Sequence, residues 1–394
     1  MQDRRVYVDY NATTPLRDEV KAAILKDLEI YGNASSMHTS GRMARSRVEE
    51  ARKAVGLLLG APADTLIFSS GGSESNNTVF QTMRTLAAGT DSSFAKEGRS
   101  EFIITDIEHP CVLNSAEYTA KLGYKVHSVP VDEYGKMNMD KFRAVLSEKT
   151  LFVSVMMANN EIGTIQDLRE ISALAKEAGA YVHTDAVQAV GKIPVNVAEL
   201  GVDYLTMSAH KIYGPKGIGV LFLKKGAPLF PLIHGGHHEN GLRAGTYNNI
   251  GILGLGIAAE LALRDLDEYQ KKTSQLRKQL QNGLLEKIPN IKINGHPEDV
   301  LPNTLNVSFP GAEGEAILLS MDMAGIEAST GSACASGSLD ASHVLMAIGV
   351  GPELAHGSIR FSLGWYNTRE DVDYIIEKLP PIIERLRAMS TLKV

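Results

Sequence analysis

DLREISALAKEAG (167–179), followed at once by AYVHTDA (180–186), is the stretch that decides the fold. The first segment sets Leu168, Ile171, Leu174 and Ala175 at three- and four-residue spacings, one apolar face of a helix. The second is a short run with an apolar lining, the pattern of a strand covered on both sides. The alternation continues in both directions. LIFSS (66–70), EFIITD (101–106), YKVHSVPV (124–131), LFVSVMM (151–157), DYLTMSA (203–209) and GVLFLKK (219–225) read as further strands, most of them separated by helical patterns. Buried strands interleaved with helices predict an α/β fold, a large domain whose mainly parallel sheet is flanked by helices. One long helical stretch is predicted over roughly 250–287. The order then changes to IKING, TLNVSF, EAILLSMDMAG and IRFSLG before a charged, amphipathic close, which predicts a smaller α+β domain. The expected division gives 15–260 to the large domain, and 1–14 with 261–394 to the small one. DSSFAKEGRS (91–100) reads as a polar surface loop.

Composition narrows the function classes. Of 394 residues, 44% are hydrophobic and 22% charged, ordinary values for a globular chain. A net charge of −6 with no basic run argues against a nucleic-acid partner held by general electrostatics. Two cysteines make no disulfide framework and suit a reducing compartment. MQDRRVYVDY lacks the apolar core of a signal peptide. IGILGLGIAA (250–259) is glycine-broken and too short to span a bilayer. The expectation is a cytoplasmic protein without a membrane partner.

Three short stretches carry chemistry. In SAHKIYGPKGIG (208–219), Lys211 follows a strand and precedes a glycine–proline turn, between Ser208 and His210 on one side and the turn on the other. A lysine so placed can form a Schiff base with an aldehyde cofactor. HTDAVQ (183–188) puts Asp185 near the C-terminal edge of the sheet, where open α/β sheets bind ligands. A carboxylate there can keep a pyridine nitrogen protonated, or it can cap the next helix. SSGGSESNN (69–77), a strand, a glycine pair and a helix start, frames a phosphate cradle of free N–H groups. Together they point to pyridoxal phosphate. His234, His237 and His238 lie in a glycine-rich loop without helical ligand spacing, so no metal site is expected. Cys111, directly after EHP, reads as a small buried hydrophobe.

The ordered motifs VDYNATTP (8–15), IEHP (107–110), NNEIG (159–163), HTDAVQ, SAHKIYGPKG, RAGT (243–246), STGSACASG and ELAHGSIRFSLG (353–364) resemble the cysteine desulfurases of the NifS/IscS type, within the class V aminotransferases of fold type I. The resemblance implies pyridoxal 5'-phosphate on Lys211, Asp185 at its pyridine nitrogen, and His109 stacked on the ring and moving protons. It implies Asn160 and Gln188 at the ring oxygen, with Gly72, Ser73, Ser208 and His210 at the phosphate. Thr246 would reach the phosphate from the partner subunit, which implies a homodimer. Arg360, with Asn33, would hold the substrate carboxylate. Two departures stand out: GNAS (32–35) where the family often has GNPS, and HHENG (237–241), in which Asn240 takes the place of an arginine.

The same resemblance gives Cys334, in STGSACASGS (329–338), the catalytic thiol's role. It would attack the sulfur of L-cysteine, leave L-alanine, and carry a persulfide to an acceptor such as an iron–sulfur scaffold protein, where Cys334 could transiently ligate the cluster. Small residues around it supply a tether without bulk. A selenocysteine lyase and a class V aminotransferase are the alternatives on the same scaffold; neither selenocysteine preference nor the sulfur acceptor is written in these residues.

Overall fold

The computed structural model of the chain describes residues 4–89, 98–330 and 341–390. Cys334 and residues 91–97 of the expected polar loop lie outside the described residues. Among the described residues the main sheet has seven strands, in the spatial order Leu66–Ser69, Gly219–Leu223, Tyr204–Ser208, Tyr181–Asp185, Thr150–Ser154, Glu101–Thr105 and Val126–Val129. Each corresponds to one of the sequence-predicted strands. Five strands, from Tyr204–Ser208 outward to Val126–Val129, pair in parallel; Gly219–Leu223 runs against both of its neighbours. Thr150–Ser154 and Tyr204–Ser208 are buried along their whole length, the consequence of helices on both faces.

On one face Val79, Phe80 and Met83 of the helix Gly72–Ala87 pack with Phe102, Phe152 and Tyr204 of the sheet. On the other, Leu168, Ile171 and Ala175 of the helix Leu168–Glu177 join the larger core, as their spacing predicts. The helices Thr39–Leu59 and Asn249–Arg264 cross closely on that side. A Cβ on Gly256 would come 2.6 Å from the Cα of Ala51, so only glycine permits the approach.

The long helix expected over 250–287 is two helices, Asn249–Arg264 and Leu266–Lys287. Asp265 leaves helical geometry between them, and its carboxylate pairs with the buried guanidinium of Arg17 at 2.7 Å. A second core gathers the antiparallel strands Lys292–Asn294, Thr304–Ser308 and Ser358–Ser362 under the helices Leu266–Lys287, Gly314–Met323 and Arg369–Met389. Val6 and Val8 belong to it, because the strand Val6–Tyr7 pairs in parallel with Ile326–Glu327. The chain then passes from this core to the ends of the main sheet, where Asn11 sits against both. Among the described residues no helix is long and apolar enough to cross a membrane.

Candidate active site

A cavity of roughly 270 Å³ opens at the C-terminal ends of the parallel strands. Its walls bring together Gly72, Ser73, His109, Asn160, Asp185, Gln188, Ser208, His210 and Lys211, from five separate strand-to-helix or strand-to-turn connections. Lys211 ends the short helical turn Ala209–Lys211 that follows the strand Tyr204–Ser208. Hydrogen bonds from Ala209 N to Ile218 O and from Gly214 N to Ala209 O close the glycine–proline loop beneath it. Its Nζ donates to the carbonyls of Asn11 and Ala12.

Asp185 closes the strand Tyr181–Asp185, and no helix follows it directly. Its Oδ1 accepts from Val187 N at 3.0 Å and its Oδ2 from Asn76 Nδ2 at 2.7 Å. The carboxylate is thus fixed in orientation at the cavity wall, and the helix-cap alternative falls away. His109 caps the helix Pro110–Lys121, its Nδ1 accepting from Cys111 N at 3.2 Å. Burial, with help from Lys211 and His343, pushes His109 below the ordinary histidine range, against the pull of Asp185. His210 is pushed down to about 4 by burial and by Lys211, Lys216 and Lys192. Both imidazoles are therefore neutral at pH 7.

The residues suit pyridoxal phosphate. The helix Gly72–Ala87 starts at the cavity with no side chain capping its N-terminus, so its first N–H groups are open to an anion. Gly71 has φ +152°, and a Cβ on Gly72 would stand 3.0 Å from Val187 Cγ2, so the cradle needs both glycines. Amine, carboxylate, imidazole and anion site converge on one cavity, which is the donor set that an aldehyde-bearing pyridine phosphate requires.

Three expected residues are not among the walls. Arg360 lies behind Asn160, buried, with Nη1 donating to the Asn160 carbonyl at 3.1 Å and Nη2 paired with Asp9 at 2.7 Å. Asn33 is exposed, its Oδ1 accepting from Ser35 N at 2.9 Å. Thr246 is exposed, on a loop tied down by Arg243 to Glu74 and by Glu239 to Arg52. Asn240, where the family often has arginine, sits in that loop at φ +57°. His234, His237 and His238 belong to no metal-binding cluster among the described residues. Cys111 is half-buried and lines the cavity.

Sequence reasoning missed the residues that organise the floor. Asn11 is buried; its carbonyl accepts from Lys211 and Gln188, its Oδ1 from Lys192 and Asn303, and its amide donates to Asn160 O and Thr304 Oγ1. Lys192 is buried and also donates to Gln188 Oε1 at 2.6 Å; burial drives it well below the usual lysine range. Asn11 stands inside the quoted VDYNATTP, but nothing local announces partners more than a hundred residues away.

Residues 6–375 match the aminotransferase class-V family. The chain is 48% identical over 392 residues to "Cysteine desulfurase IscS" of Dictyoglomus turgidum, covering 99% of this chain and 97% of that one. Among solved structures it resembles a "NifS-like protein" at TM-score 0.89 and 39% identity, over 97% of this chain and 100% of the other. "SspA in complex with cysteine" follows the same fold at TM-score 0.78 and 29% identity, over 92% and 99% of the two chains.

Proposed function

This chain belongs to the class-V aminotransferases and is a pyridoxal-phosphate-dependent cysteine desulfurase, and on that premise we propose that sulfur passes from L-cysteine to Cys334. The balance is L-cysteine plus the Cys334 thiol giving L-alanine plus a Cys334 persulfide. The Cβ–S bond breaks, the S–S bond forms, and carbon keeps the electron pair and gains a proton. Pyridoxal phosphate, when bound, supplies an aldehyde for the substrate amine and a ring that holds the electron pair released at Cα.

The chain's own residues do the rest. Lys211 takes up the Cα proton at Nζ, which the carbonyls of Asn11 and Ala12 hold at the cavity floor. Asp185, fixed by Val187 N and Asn76, presents its carboxylate to the ring nitrogen. With the cofactor bound, His109 would stack on its ring and help move protons. Asn160 and Gln188 serve the ring oxygen. Gly72, Ser73, Ser208 and His210 serve the phosphate, joined by Thr246 of a second copy. Arg360, oriented by Asp9, meets the substrate carboxylate together with Asn33.

One observation carries the reading most directly: Lys211, Asp185 and His109 share a single cavity, and the described residues that flank the Cys334 segment are hydrogen-bonded to neighbours of its walls. Before the segment, Ser329 exchanges backbone hydrogen bonds with Arg360. After it, Ser342 donates to Glu161 and His343 meets the Glu108 carbonyl at 3.0 Å, next to His109. Cys334 is four peptide units from Thr330, a full reach of roughly 14 Å. Delivery to a scaffold or other sulfur acceptor is the natural fate of such a thiol. A homodimer is supported by exposed Tyr31 and Ile250, whose chain neighbours Gly32 and Asn249 share a hydrogen bond, and by exposed Met37. Two cysteines in the whole chain suit a reducing cytoplasm. We assign residues 15–260 to the cofactor domain, and 1–14 with 261–394 to the domain carrying the thiol. The test is mass spectrometry of holoenzyme given L-cysteine: an added sulfur atom on the Cys334 peptide, absent in Lys211→Ala, supports the reading, and an unmodified peptide in an active enzyme refutes it.

A further inference from the structure

Cys111 occupies a position that the desulfurase chemistry leaves without a task. Its Sγ lies 2.9 Å from His109 Nδ1 and 3.1 Å from Asn76 Nδ2. Asn76 Nδ2 also contacts Asp185 Oδ2 at 2.7 Å, and a carboxylate accepts only, so the amide nitrogen faces both the carboxylate and the sulfur. Rotating the amide would set Oδ1 against the carboxylate. Asn76 is fully buried and its Oδ1 has no hydrogen-bond partner among the described residues, so its orientation is dictated by the nitrogen alone. With the Asn76 amide donating to the sulfur, the thiol's own proton is left for His109 Nδ1. That nitrogen already accepts the Cys111 backbone N–H, which puts the ring proton on Nε2.

We propose that Cys111 is a positioning residue whose thiol donates to His109 Nδ1, holds that imidazole neutral with Nε2–H towards the cavity, and couples it through Asn76 to Asp185. The groups facing His109 are Asp185, which favours its protonation, and Lys211 and His343, which oppose it. A donor to Nδ1 adds to the opposition, because a protonated ring must place hydrogen where the donor stands. Burial beside Asp185 pushes the Cys111 thiol up to about 12, so it remains a donor across the working pH range. Cys111 thereby differs in kind from Cys334: one thiol is kept protonated to orient, the other must ionise to attack.

The inference rests on His109 facing the cofactor, but its test does not need turnover. Histidine labelled with nitrogen-15 is followed by NMR in the cofactor-free protein, with His109→Gln identifying the signal. Wild type and Cys111→Ser are expected to share one titration midpoint and the Nε2–H tautomer. Cys111→Ala is expected to raise the midpoint by on the order of half a unit to one unit, a roughly three- to tenfold change in the protonation equilibrium. Should Cys111→Ala fail to fold, Cys111→Val refills the volume without a donor and reads the same midpoint. A midpoint unchanged in the variant that keeps only the backbone donor, or moved as far by serine as by alanine, overturns the proposal, whatever the enzyme does with L-cysteine.

Discussion

Asn11 shows what a single buried amide does here. Its carbonyl, which any substitution keeps, holds Lys211 and Gln188, while its side chain accepts from Lys192 and Asn303 and donates to the Asn160 carbonyl and Thr304, so truncating the side chain removes four buried hydrogen bonds at once. Asn11→Ala is expected to lower unfolding stability by about 3 kcal/mol, read from urea melts, since each orphaned group bears a desolvation cost. Lys211→Ala, by contrast, is expected to leave stability nearly intact and cut turnover on the order of 10³-fold or more, read as alanine released. Lys211 and Asp185 were legible in the sequence because Asp185 closes a strand and Lys211 lies in the turn just after one, and strand ends in such sheets face ligands. Asn11 and Lys192 were not, because their meaning lies in partners brought close only by the fold; Gln188, for instance, is 177 residues from Asn11.

Between elements, two buried acids set the stability profile. Glu239 stands at φ +47° in the loop that carries Thr246, held by a bidentate contact to Arg52 and by Phe68 N. Both side chains of the pair are nearly inaccessible, 8% and 3% exposed, so breaking it leaves a lone charge in the interior. Arg52→Met is expected to cost about 3–5 kcal/mol by thermal or urea melting, and adding Glu239→Gln to recover part of it. Glu108, which joins the strand Glu101–Thr105 to the helix Pro110–Lys121, is fully buried, and burial pushes its carboxyl from 4.5 up to about 8. The folded chain keeps that proton while the unfolded chain has released it, so stability falls as pH rises from about 4.5 to about 8. Glu108→Gln is expected to flatten this slope in melts across that window; parallel slopes in both proteins would contradict it. The elements themselves were legible, since strands covered on both faces write themselves as apolar runs. The break at Asp265 was not, because the helical pattern continues across it and only the distant Arg17 explains the interruption.

The whole molecule places its candidate site where the main sheet meets the second core, and the described residues on either side of 331–340 are held to Arg360 on one side and to Glu161 and Glu108 on the other. If a second copy completes the phosphate site, the protein sediments at twice its chain mass, and Thr246→Ala weakens pyridoxal phosphate affinity while leaving the Lys211 linkage possible. A monomer with full cofactor affinity would contradict that arrangement. The ordered motifs made the activity legible, but a run of small residues fixes no geometry, and residues 331–340, Cys334 among them, lie outside the described residues. The most direct measurement is therefore chemical: alanine and sulfide formed from L-cysteine with a thiol reductant, wild type beside Cys334→Ala. The account predicts equal amounts of the two products from wild type and loss of both in the variant. Undiminished alanine and sulfide from Cys334→Ala would contradict it.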